Sequence, residues 1–87
     1  MHEIQFSEQL DKKLSKLAKK NRNQLKMIDK KVHEIVKNPN RYKNLTGGEM
    51  KGLKRVHIDE HFVLIFDVDN NKKIVRFLDY DHHDKVY

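Results

Sequence analysis

The chain has 87 residues, 37% of them hydrophobic and 37% charged, with a formal net charge of +6. This length predicts one domain spanning residues 1–87, and the absence of cysteine excludes disulfides and thiolate metal ligands. No signal-peptide pattern and no apolar run of membrane-spanning length occurs. We therefore expect a soluble cytoplasmic protein with no membrane partner.

The first half of the chain predicts a short strand followed by two helices. HEIQF alternates, with Ile4 and Phe6 on one side, and Ser7 then stands in N-cap position before a helix. Asn21 offers a cap for a second helix, which Pro39 ends. Apolar residues recur at spacings of three and four in both helices, which predicts a helical hairpin with facing seams: Leu10, Leu14 and Leu17, then Leu25, Ile28, Val32 and Ile35.

Positive charge is concentrated in this helical half. Residues 1–44 carry a net charge of +7, whereas residues 45–87 carry −1. Such an excess indicates a polyanionic or acidic partner, although a solvated basic helix surface would have the same composition.

After Gly47–Gly48 the hydrophobic period changes to that of strands. KGLKRVHID alternates, with Val56 and Ile58 on one face and Arg55 and His57 on the other. FVLIFDV is apolar throughout, as in a central strand buried on both faces, and a turn at residues 69–71 leads to KKIVRFLDY. We therefore predict an α+β fold of order β-α-α-β-β-β. In it, the helical hairpin packs on one face of an antiparallel sheet and leaves the other face open.

One segment has the form of a zinc-peptidase signature. HIDEH, from His57 to His61, matches H-x-x-E-H. That signature needs a helix, which aims both histidines at one ion, but here the flanking period is two and Asp59–Glu60 fall where a hairpin turns. We interpret the match as a coincidence and expect no metal or other cofactor, although a weaker site drawn from His57, His61, His82 and His83 stays open.

The open sheet face has side chains suited to RNA cleavage. Arg55 and His57 share a face of one strand, Lys51 and Lys54 lie near its start, and a tail folding back would add His82, His83 and Tyr87. Imidazoles could move protons while the ribose 2′-hydroxyl attacks its own phosphate, and Arg or Lys could stabilise the pentavalent phosphate without a metal. A terminal aromatic could stack on a base. As alternatives to a role in catalysis, His57 could be a hydrogen-bonded histidine packed in the sheet, and the tail could be solvated and mobile.

The whole chain resembles the RelE/ParE superfamily of toxins from toxin–antitoxin modules. Its second half is most similar to the YafQ branch, which has a Lys-Gly pair, a histidine, an apolar strand and a terminal histidine and aromatic residue. The matching residues here are Lys51-Gly52, His57-Ile58, Val63–Phe66, His83 and Tyr87.

This resemblance implies a ribosome-dependent endonuclease that cuts mRNA and is silenced by a cognate, RelB-like antitoxin. It implies His57 and His83 as active-site residues, Tyr87 packing or stacking nearby, and Arg55 and Lys54 as phosphate contacts. His61 stands where the YafQ pattern has an acid–base aspartate. Two alternatives remain: a ParE-like toxin that inhibits DNA gyrase, and a degenerate toxin that only binds its antitoxin.

Overall fold

The computed structural model describes residues 2–42 and 53–82. The order is β-α-α-β-β-β, as predicted, with a 3₁₀ turn at Pro39–Arg41. The elements are β1 (Glu3–Phe6), α1 (Glu8–Lys20), α2 (Arg22–Lys37), β2 (Lys54–His57), β3 (Phe62–Asp69) and β4 (Ile74–His82). In the described part of the chain, neither helix is both long and apolar enough to cross a membrane.

Both predicted helix caps are formed. The Ser7 hydroxyl accepts a hydrogen bond from the Leu10 amide at 3.0 Å, and the Asn21 side chain accepts one from the Gln24 amide at 3.1 Å. Each bond satisfies an amide that a helix start would otherwise leave unpaired. Asn21 alone separates α1 from α2, so the two helices turn back on each other as the sequence predicted.

The sheet is mixed, which corrects the prediction of a wholly antiparallel sheet. Its strand order is β1-β4-β3-β2, with antiparallel β2–β3 and β3–β4 pairs and a parallel β1–β4 pair. Alternating hydrophobicity shows which residues share a face but not which way a strand runs. The long connection through both helices carries the chain away from β1, and such connections are what parallel pairing requires.

The core lies between the helical hairpin and one face of the sheet. Helix residues and strand residues contribute equally to its fully buried part: Leu10, Ile28, Ile35 and Val36 from the helices, and Leu64, Phe66, Val75 and Phe77 from the strands. Val63 and Ile65 on the opposite face are buried too, so the prediction of a central strand buried on both sides is confirmed. We call that opposite side, which neither α1 nor α2 covers, the helix-free face.

β4 is displaced from the predicted strand by two residues at each end. The preceding turn extends through Lys73, which has a φ of 57°, and the Asp69 carboxylate accepts hydrogen bonds from the Asn71 and Lys72 amides. At its other end β4 continues to His82, so Asp81 and His82 belong to a strand and not to a returning tail. A bulge leaves Leu78 opposite no residue of β3, and strand alternation resumes at Asp79.

Candidate active site

The HIDEH segment forms the end of β2 and a tight turn. One oxygen of Asp59 accepts hydrogen bonds from the His61 amide at 2.8 Å and the Phe62 amide at 2.9 Å. Partial burial would raise the pKa of Asp59, but these two bonds and a hydrogen bond with Gln24 hold it below its usual value. The HIDEH segment is not helical. This confirms the structural reason given above for interpreting the zinc-peptidase match as a coincidence. Among residues 2–42 and 53–82, no three potential ligands are grouped to hold a metal ion.

The strand register places Arg55 and His57 together on the helix-free face. Arg55 is opposite Ile65, which is opposite Asp79, so these side chains form one row across β2, β3 and β4. His57 forms the next row with Val63 and Asp81. With strands roughly 4.8 Å apart, the basic and acidic ends of each row are about 10 Å apart at the backbone. The result is an apolar floor with a cation or imidazole on one side and carboxylates on the other.

Asp79 and Asp81 lie in the same rows as Arg55 and His57 but were not among the predicted site residues. Their signal was the alternation in Asp-Tyr-Asp, which puts both carboxylates on one face when Tyr80 is buried on the other. The predicted strand KKIVRFLDY ended one residue before Asp81, and the extra residue at Leu78 hid the register of Asp79 with Ile65 and Arg55.

Lys13 holds both carboxylates from the helical side. Its ammonium group lies 2.7 Å from an Asp79 oxygen, 3.4 Å from an Asp81 oxygen and 2.9 Å from the Tyr80 carbonyl. The register of β1 with β4 stops at Phe77, so Lys13 reaches around the part of β4 that β1 leaves as an edge. Partial burial would lower the pKa of Lys13, but the contacts with Asp79 and Asp81 outweigh it and raise that pKa.

Lys54, a predicted RNA contact, lies on the other side of the sheet from Arg55 and His57. It is paired with Phe66, whose side chain is in the core. Its ammonium group donates a hydrogen bond to the Tyr42 carbonyl at 2.8 Å. That contact ties β2 to the residue after the 3₁₀ turn and gives Lys54 a structural role.

His61 lies in the turn between β2 and β3. Its ring contacts the ring of His82, which belongs to β4 and not to a returning tail. The two rings are nearly parallel, with centroids 5.8 Å apart. The ring of His82 meets Phe62 edge-on at 5.4 Å, and Phe62 stacks on Tyr80 at 5.1 Å. Burial raises the pKa of the Tyr80 phenol, whose oxygen accepts a 2.8 Å hydrogen bond from Gln24. Three other predicted site residues, Lys51, His83 and Tyr87, lie outside the described residues.

Comparison with known proteins identifies the family. Residues 4–87 match the model of the family described as the ParE toxin of the type II toxin–antitoxin system parDE. The chain belongs to the ParE toxin family. It is also 52% identical over 87 residues to a Methanocaldococcus jannaschii protein named "Putative toxin RelE4", covering all of this chain and 92% of the relative.

Solved structures show the same fold at low sequence identity. YafQ from Escherichia coli BL21(DE3) has a TM-score of 0.74 and 22% identity, over 100% of this chain and 99% of YafQ. A chain of the intact E. coli RelBE toxin–antitoxin complex has a TM-score of 0.75 and 20% identity, over 92% and 94%. The predicted membership of the RelE/ParE superfamily is therefore confirmed, and the protein is a type II toxin of that group.

Proposed function

We propose that this toxin is an endoribonuclease that cuts mRNA on the ribosome by attack of a ribose 2′-hydroxyl on the adjacent phosphate. The observation that carries the proposal is the pair of rows on the helix-free face. They set Arg55 and His57 of β2 opposite Asp79 and Asp81 of β4 across an apolar floor. The likeness to YafQ and to a RelBE chain supports the fold that such an activity would use.

Each group on this face has a chemical role in the proposed reaction. His57, the exposed end of its row, exchanges a proton with the attacking hydroxyl or the leaving 5′ oxygen. Arg55 donates to the phosphate oxygens, whose negative charge grows in the pentavalent transition state. Asp79 and Asp81, fixed by Lys13, confine the positive potential to the β2 side of the face. His61, His83, Lys51 and Tyr87 are proposed to complete the site on the ribosome.

The proposed partners are the ribosome with its mRNA and a cognate, RelB-like antitoxin. One of the fold relatives is a chain of a RelBE toxin–antitoxin complex, which supports an antitoxin partner for this chain. The basic helical half, with +7 over residues 1–44, suits an acidic antitoxin segment as well as ribosomal RNA.

A second candidate function is inhibition of DNA gyrase without RNA cleavage. The observation that favours it is the match to a ParE family model over nearly the whole chain. The imidazoles and the arginine of the helix-free face and turn favour the nuclease, because a purely binding surface has no need for proton-transfer groups.

The deciding experiment is mRNA cleavage on programmed ribosomes by EDTA-treated protein, with Mg²⁺ added only to keep the ribosomes intact. We expect ribosome-dependent cuts that fall at least about a hundredfold in His57→Ala, the lower end for losing a general acid or base. His33→Ala is the matched control, because His33 is an exposed imidazole on α2, away from this face. A folded wild type that cuts no codon but blocks gyrase supercoiling would replace the nuclease proposal with the second candidate.

A further inference from the structure

The segment where α1 turns back into α2 carries the excess positive charge of the chain. Residues 12–28 hold no Asp or Glu and seven cations: Lys12, Lys13, Lys16, Lys19, Lys20, Arg22 and Lys26. Because the whole chain has a net charge of +6, the residues outside this segment sum to −1. One helical junction, and not the helical half in general, therefore makes the protein basic.

Five of these cations are exposed and not neutralised. Lys13 is engaged by Asp79 and Asp81, and Lys12 lies 3.8 Å from Glu8. The other five are exposed, and no ion pair of theirs is found in the part of the chain that the structure describes. We call these five residues the basic corner: Lys16, Lys19, Lys20, Arg22 and Lys26.

Helix stability accounts for only part of the basic corner. Lys19 and Lys20 lie in the last turn of α1, where the helix dipole favours cations. Arg22 is the first residue of α2, whose first turn holds no acidic residue, and there the dipole disfavours a cation. A helix start that has cations in place of carboxylates suits an anion that comes from another molecule.

We infer that the basic corner binds the backbone of double-helical RNA in the ribosome on which this toxin is proposed to act. Residues 16–26 include no aromatic side chain, whereas proteins that hold single strands use aromatic rings on which bases stack. Double-helical RNA is instead recognised through its shape and its phosphate and 2′-hydroxyl groups, which exposed cations can contact. The inference rests on the proposed function, because that function makes the ribosome the place of cleavage.

An acidic protein segment fits this surface less well. Protein interfaces depend on a few buried apolar anchors. Among residues 2–42 and 53–82, the exposed large hydrophobic side chains are Ile4, Phe6 and Met27. The first two belong to β1, and Met27 lines a separate pocket with Lys30 and Ile58. The basic corner itself offers charge without an apolar anchor, which is what a phosphate backbone requires.

The basic corner lies at the same end of the sheet as the candidate active site. Gln24, in the first turn of α2, donates a hydrogen bond to the Tyr80 phenol at 2.8 Å and shares another with Asp59. Asp59 belongs to the turn that follows β2, the strand that carries Arg55 and His57. RNA bound at the corner would therefore fix the orientation of the helix-free face without touching the reacting groups.

The first test is binding to vacant small ribosomal subunits, which carry no mRNA and so report docking without cleavage. Lys19→Gln/Lys26→Gln is compared with Lys37→Gln/Lys72→Gln, which removes the same charge from exposed positions at the other end of the sheet. Lys19 and Lys37 are matched, because each lies in the last turn of its helix.

We expect the corner variant to bind on the order of tenfold more weakly at about 0.1 M salt. The slope of log K against log salt should fall by about 1.8, roughly 0.9 for each phosphate that a lysine no longer neutralises. The control variant should change neither quantity by as much. Lys19→Arg/Lys26→Arg, which keeps both charges, should bind the subunits like wild type.

Cleavage kinetics separate docking from chemistry. On programmed ribosomes, Lys19→Gln/Lys26→Gln should raise KM on the order of tenfold and leave kcat unchanged, because it removes binding that the ground state and transition state share. His57→Ala should lower kcat and leave subunit binding unchanged. A short RNA duplex should compete for the toxin better than either of its separate strands.

Equal decreases in subunit affinity for the two lysine-to-glutamine variants would overturn the inference in favour of diffuse attraction. Better competition by the separate strands would overturn the assignment to double-helical RNA. Loss of binding to an acidic antitoxin segment in the corner variant, with subunit binding unchanged, would assign the corner to a protein. Corner-dependent docking without mRNA cleavage refutes only the nuclease, and cleavage with corner-independent docking refutes only this inference.

Discussion

The side chain of Asp59 stabilises the turn between β2 and β3. Its carboxylate receives two backbone amides, and its hydrogen bond with Gln24 links the turn to α2. Gln24 in turn reaches the buried Tyr80 phenol. The position of His61 relative to His82, and of His57 relative to Asp81, therefore depends on a residue with no role in the proposed chemistry.

We expect Asp59→Ala to lower the free energy of unfolding by about 1–2 kcal/mol, since it removes the acceptor for two amides. Glu60→Ala is the control, with the same charge change at an exposed neighbouring position.

Because the folded pKa of Asp59 is depressed, its stabilisation is complete above the unfolded value of about 3.9 and is lost as the pH falls through the folded value. Urea unfolding at pH 7 and pH 3 measures both effects. Equal costs for the two variants at pH 7 would contradict this role.

At the scale of elements, β4 has two halves with different neighbours. Ile74 to Phe77 pair with β1 on one side and β3 on the other, whereas residues 79–82 pair with β3 and are approached by Lys13. An unpaired strand edge invites pairing with other chains and frays easily, so a lysine that occupies its carbonyl stabilises it. The same lysine fixes the acidic ends of both rows on the helix-free face.

Lys13→Met should loosen the second half of β4 while leaving the first half unchanged. We expect faster amide hydrogen exchange at residues 79–82 than in wild type, and a loss of stability of about 1 kcal/mol because Lys13 is partly exposed. The raised pKa of Lys13 gives stabilisation that is complete below the unfolded value of about 10.4 and is lost as the pH rises through the folded value. Lys12→Met is the control, and uniform exchange changes along β4 would contradict the edge role.

The elements that the sequence predicted correctly are those with a local signal. Ser7 and Asn21 are cap residues followed by periodic apolar positions, and the alternation around Val56 placed Arg55 and His57 on one face. Strict alternation would also have put Lys54 with Val56 on the helical side, where the structure has it. The parallel pairing of β1 and the reach of Lys13 to Asp79, 66 residues away, depend on packing that no local pattern encodes.

For the molecule as a whole, stability depends on one small core. A chain of this length buries only about 60–65% of its unfolded surface, so few side chains carry most of the stabilisation. Phe77 is central among them, because it is fully buried and contacts the rings of both Phe6 and Phe66. Through β4 it also supports the helix-free face, which carries the candidate site.

Phe77→Ala should cost about 3–5 kcal/mol, a large part of the 5–15 kcal/mol that typically separates folded from unfolded domains. Phe6→Ala is the matched control, because Phe6 stacks on the same ring from the β1 edge but is 43% exposed, and should cost about 1 kcal/mol. Urea unfolding followed by circular dichroism gives both values. We expect Phe77→Ala to lose mRNA cleavage on warming, as its folded fraction falls. Similar costs for the two variants would contradict this prediction and mean that the core does not centre on Phe77.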